Sequence, residues 1–159
     1  MGQSSYAGNL AGAAGLAAAF AFTGLLDGPA GATAARIAEA KSALSPVEAF
    51  LRGALCNGLV CLAVWLSSRP ARRRARSLRC FWPITAFVLL GLEHSVANMF
   101  FFPQGWAAGA DVSLHAAAAN LFWVTLGNIA GGAGGVAFAY WFAYLGCTAP
   151  AAGKAQRKR

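Results

Sequence analysis

Residues 80–103 read CFWPITAFVLLGLEHSVANMFFFP, an apolar run interrupted by an acid and a histidine side by side, Glu93 and His94. A helix needs about 20 mostly apolar residues to cross a bilayer, and this run has them. An ionisable group at that depth costs on the order of 3 kcal/mol, and such groups survive where they line a pathway or satisfy a partner. The fold therefore turns on whether the rest of the chain also reads as membrane protein.

It does. The 159 residues are 58% apolar and 11% charged, against about a quarter charged in a soluble domain. Besides 80–102, the segments 6–26, 49–67 and 119–147 are long enough to span; the first and last carry no charge and the second only Arg52. The expectation is an all-α membrane protein of four transmembrane helices. Residues 1–150 form a single transmembrane domain and 151–159 a basic tail.

The net charge is +8, but its placement argues against a nucleic-acid partner. Arg69, Arg72, Arg73, Arg74, Arg76 and Arg79 fill the connection between the second and third spans; Lys154, Arg157, Lys158 and Arg159 form the tail. If each span crosses once, both clusters fall on one side, opposite Asp27, Glu39, Glu48 and Asp111. The positive-inside rule makes that side the cytoplasm, and anionic lipid is the natural contact for the arginines. The plasma (inner) membrane is the expected location. Cys56, Cys61, Cys80 and Cys147 lack metal-ligand spacing and read as small packing residues; no metal or cofactor is called for. The start does not resemble a signal peptide, and entry into the first span within five residues raises the expectation of a segment upstream.

Within the spans, Gly8, Gly12 and Gly15 give the first helix a small-residue face for close approach by a neighbour, so that helix should be buried among others. Residues 27–46 read as a turn and a short external helix, with Ser45 and Pro46 as N-cap and first residue of the next helix. Asn57 is the conspicuous polar group of the second span and must find partners inside the bundle. The fourth span carries Asn120, Thr125 and Asn128 among Gly127, Gly131, Gly132, Gly134 and Gly135. His115 reads as part of an external loop.

Three stretches, GLEHSVANMFFFPQG, ALCNGLVCLAVWLSS and NLFWVTLGNIAGGA, together resemble the signature regions of the formate/nitrite transporter family. The resemblance covers residues 5–144 and implies the third helix of a first three-helix repeat plus a complete second repeat. The family fold is an aquaporin-like arrangement of six helices in two inverted repeats, with both termini cytoplasmic and five protomers each holding a pore. The first two family helices have no counterpart here. The resemblance further implies that the third span is interrupted near its centre, a recurring way to build an ion site at the midplane.

His94 matches the family's pore histidine. An imidazole changes charge near physiological pH and an arriving anion favours its cation, so the site would stabilise the anion or hand it a proton. Asn57 matches an asparagine that bonds substrate or pore loop, and Val60 and Phe87 match apolar constrictions. Glu93, about 100° from His94 if the backbone is helical, would accept backbone N–H bonds at the break. Asn98, Thr125 and Asn128 would support the broken helix or pore wall. Gly58, Leu92 and Trp123 depart from the family pattern, which leaves the substrate open.

The implied function is a homo-pentameric, passive or proton-linked channel for a small monovalent anion, formate or nitrite first, with hydrosulfide, acetate and lactate as further candidates. The alternative is a non-conducting fragment or accessory subunit that completes or blocks another pore. An enzyme is not implied: a hydrolase using Glu93 and His94 finds no nucleophile motif, and adjacent helical residues do not converge on one point.

Overall fold

The structure is a computed structural model that describes residues 2–68, 73–137 and 141. It is all-helical across these residues. Helices α1 (Gly2–Ala21), α2 (Pro29–Ser42), α3 (Pro46–Ser68), α4 (Arg73–Leu89), α5 (Ser95–Ala107) and α6 (Leu114–Ile129) follow in order; α6 runs on as a π-helical segment, Ala130–Ala137. The side chains of the arginine cluster and the basic tail lie outside the described residues.

The four expected spans map onto this order with corrections. The first ends at Ala21, short of Leu26, because Gly24 takes a left-handed turn (φ 72°) into a 3-10 turn at Leu25–Asp27. The second lies in a helix that starts at Pro46, as expected with Ser45 as N-cap, and Ser45 and Glu48 form a capping box there: Ser45 Oγ accepts from Glu48 N–H (3.3 Å) and Ser45 N–H donates to the Glu48 carboxylate (3.0 Å). The third is two helices, α4 and α5, separated by residues 90–94. The fourth begins at Leu114, since the Ser113 hydroxyl caps Ala116 N–H (3.1 Å); His115 therefore lies in the first turn of α6, not in a loop. Among the described residues, Pro46–Ser67 is long and apolar enough to cross a membrane by length and composition, with mean hydropathy 1.7.

Close helix approach occurs, but elsewhere than the first span suggests. Positions 8, 12 and 15 of α1 face open space, where an added Cβ would meet nothing within 4 Å. Helix α1 packs on α5 through buried Ala17 and an edge contact between Phe20 and Phe100, 6.0 Å between centroids. The intimate crossing is α3 on α6 and its π-helical extension. A Cβ at Gly127 would overlap Phe50 O, and one at Gly131 would overlap Ala54 O. Small residues here bring two backbones into contact, the arrangement that dispersion packing favours in lipid.

Helix α2 is more than an external connection. Its Ala34 and Ala38 are buried, and Ala38 joins Phe102, Val112 and Ala117 in one apolar cluster. That docking sets the last turn of α2, including Lys41, over the break between α4 and α5.

Candidate functional site

Helix α4 stops in a Schellman motif. Leu92 N–H donates to Phe87 O (3.0 Å) and Gly91 N–H to Val88 O (3.1 Å), with Gly91 at φ 61°. A residue without Cβ adopts that left-handed conformation without penalty. The chain then runs outside any helix to His94, whose own backbone is extended (φ −120°, ψ 120°) and which is the N-cap residue of α5. Glu93 and His94 are therefore not held at the 100° separation of helical neighbours.

Glu93 goes inward. It is 2% exposed, and its carboxylate accepts from Lys41 Nζ (2.8 Å) and Asn98 Nδ2 (2.6 Å). Asn98 Nδ2 also donates to Asn120 Oδ1 (2.8 Å), and Asn120 Nδ2 donates to Lys41 O (2.8 Å), closing a ring across α2, α5 and α6. The expected backbone N–H partners of Glu93 are thus replaced by an ammonium and an amide. Asn98 Oδ1 is buried with no partner among the described residues.

The backbone at the break is held by Asn128 instead. Its Oδ1 accepts from Ser95 N–H (2.9 Å), and its Nδ2 donates to Glu93 O (3.0 Å) and Gly53 O (2.9 Å). One α6 side chain thereby ties α3, the connecting segment and the first N–H of α5. Asn57 donates its amide to Asn128 O.

His94 goes the other way. Its half-buried ring lies 6.3 Å from the Phe87 ring, tilted by 34°, and no hydrogen bond reaches it among the described residues. It stands at the N-terminus of α5, where the helix dipole places partial positive charge. Val60 is half-buried on α3, one turn beyond Asn57. Thr125 bonds away from this centre, donating to Leu121 O (2.6 Å) and sharing a hydrogen bond with Tyr6 (2.9 Å).

The structure thus brings His94 and Phe87 together, and separately Glu93, Asn98, Asn128 and Asn57. Sequence reading missed Lys41 and gave Asn120 no role; the one available signal was a basic residue at the end of a helix whose buried acid partner is 52 positions away.

An apolar groove of about 520 Å³ lies beside the break, walled by Ala54, Gly58, Leu90, Leu92, Gly131 and Gly135 and open on one side.

A sequence model of the formate/nitrite transporter family matches residues 3–142. The chain is 38% identical over 120 residues to the nitrite transporter NirC of Escherichia coli (strain K12), covering 74% of this chain and 44% of that protein. It is 47% identical over 102 residues to a probable formate transporter of Methanothermobacter thermautotrophicus, covering 64% and 37%. It thus spans less than half the length of either relative. Among solved structures, an FNT family ion channel superposes with a TM-score of 0.81 at 35% identity, covering 89% of this chain and 57% of that one. A pentameric formate channel with formate bound gives 0.79 at 33%, covering 88% and 64%. With a broken helix at its centre and likeness in both sequence and fold along most of its length, the chain belongs to the formate/nitrite transporter family.

Proposed function

We propose that these residues form part of the pore of a membrane channel for a small monovalent anion, formate or nitrite first, with His94 as the group that meets the anion. The observation that carries the proposal is the break itself. It presents an imidazole that no hydrogen bond reaches among the described residues, beside an aromatic ring, at the positive end of α5. An anion arriving there meets oriented N–H dipoles and a group able to hold or give a proton. Phe87, against the His94 ring, and Val60, half-buried on α3, serve as the apolar constrictions of the path. Glu93 and His94 face opposite ways, which argues against a paired acid–base role and for transport. The relatives' names, which are formate and nitrite transporters, support the substrate class.

The same reading places the protein in the plasma (inner) membrane with both arginine-rich segments cytoplasmic, as one transmembrane domain over 1–150 with a basic tail. It assembles the chain as a pentamer, like the formate channel it superposes on. Anion uptake into vesicles carrying the protein tests the proposal. Flux falls at least about a hundredfold in His94→Ala, and undiminished flux in that variant removes His94 from the mechanism.

A second reading is favoured by the open side of the groove beside the break: the chain conducts only when another polypeptide completes that wall. Vesicles holding the purified chain alone separate the two, since saturable anion flux with a five-fold particle excludes the second.

A further inference from the structure

Asn57 and Asn128 face each other across the α3–α6 crossing, and their hydrogen bonds go to main-chain groups rather than to the His94 ring. Asn128 has committed both side-chain N–H groups, to Gly53 O and Glu93 O, and its oxygen to Ser95 N–H. Asn57, one turn beyond Gly53, sends its amide back to Asn128 O. Each asparagine therefore holds a main-chain carbonyl of the other's helix. The residue between the two main-chain groups that Asn128 grips at the break, Glu93 O and Ser95 N–H, is His94.

The contact exists because the helices touch at glycine. A Cβ at Gly53 would lie 2.7 Å from Val124 O, and one at Gly132 would lie 2.5 Å from Asn57 Nδ2. Only at that separation do two short amides span the crossing. A longer gap would need longer side chains with more freedom to lose.

We infer that Asn57 and Asn128 are a reciprocal amide clamp that sets where His94 stands against the α3 wall, so that Asn57 acts as a positioning residue through Asn128 rather than as a ligand of the anion. The inference rests on the channel reading for the role of His94; the clamp itself is independent of what crosses the pore.

The test uses the full chain in its membrane and two variants chosen to spare the core. Asn57→Asp keeps the shape but offers no N–H to Asn128 O. Gly132→Ala keeps both asparagines in the sequence and pushes a methyl against Asn57 Nδ2, the atom that donates to Asn128 O. His94 reactivity is read as carbethoxylation by diethyl pyrocarbonate, resolved by peptide mass spectrometry, with exposed His115 on α6 as the internal control. In both variants the His94 rate rises about threefold or more as the break loosens, while that of His115 is unchanged. Maximal formate flux falls about tenfold with the half-saturating concentration within about twofold, the pattern of a misplaced group rather than a lost ligand. Unchanged His94 reactivity in both variants overturns the clamp. So does a large rise in half-saturating concentration at wild-type reactivity, which would make Asn57 an anion ligand. If the unaltered protein carries no anion, the channel reading fails while the His94-to-His115 ratio still decides the clamp.

Discussion

Lys41 and Glu93 form an ion pair with side-chain exposures of 14% and 3%. A buried pair gains less over apolar packing than its geometry suggests, but losing one partner strands the other charge. Lys41→Met is therefore expected to destabilise the protein by about 3–5 kcal/mol, whereas Lys41→Met combined with Glu93→Met recovers most of the loss. Thermal unfolding in detergent checks both, and equal destabilisation in the single and double variants would contradict the pairing. This residue pair shows what the sequence conceals. Glu93 stands out because acids are rare in apolar runs. Lys41 sits in an alanine-rich helix with nothing to distinguish it, and only the docking of α2 through Ala34 and Ala38 brings it over the break.

At the scale of elements, the chain has two glycine-rich faces at helical spacing, and sequence alone gives them equal standing. Gly8, Gly12 and Gly15 meet open space, while Gly127 and Gly131 meet the backbone of α3. Periodicity reports which residues share a face; what that face touches is a tertiary fact. Gly127→Ala should therefore force α6 away from Phe50 at an overpacking cost of about 1–3 kcal/mol, while Gly12→Ala, inside α1 and facing open space, stabilises the chain by about 0.5–1 kcal/mol. Denaturation midpoints of the two variants check the contrast, and similar losses would put a neighbour on α1. The break between α4 and α5 was expected only through the family resemblance, since a single Gly91 is tolerated inside a helix. The start of α3 was legible from the residues themselves, with Ser45 as N-cap ahead of Pro46 and Glu48 completing a capping box.

For the whole molecule, all-helical architecture was legible from composition, while the placement of the arginines makes a prediction of orientation that labelling can test. With native cysteines replaced, Cys introduced at Ser77 should react with a membrane-impermeant thiol reagent only from the cytoplasmic side. Cys at Asp111 should react only from the opposite side; labelling of both from one face would invert or dismantle the topology. Among the described residues, four apolar segments in the sequence become six α-helices because one span is cut in two and α2 folds back onto the bundle. Neither event leaves a hydrophobicity signal, since a broken span has the same average composition as an intact one.

The segment between the two halves of the broken span is anchored at both ends. Leu92 N–H is tied back to Phe87 O and Ser95 N–H to the Asn128 side chain, with Glu93 and His94 strung between them. A residue inserted or deleted there would have to release one of those ties or draw the carboxylate off Lys41. The length of this connection is thus set by its moorings and not by the identity of any one residue within it.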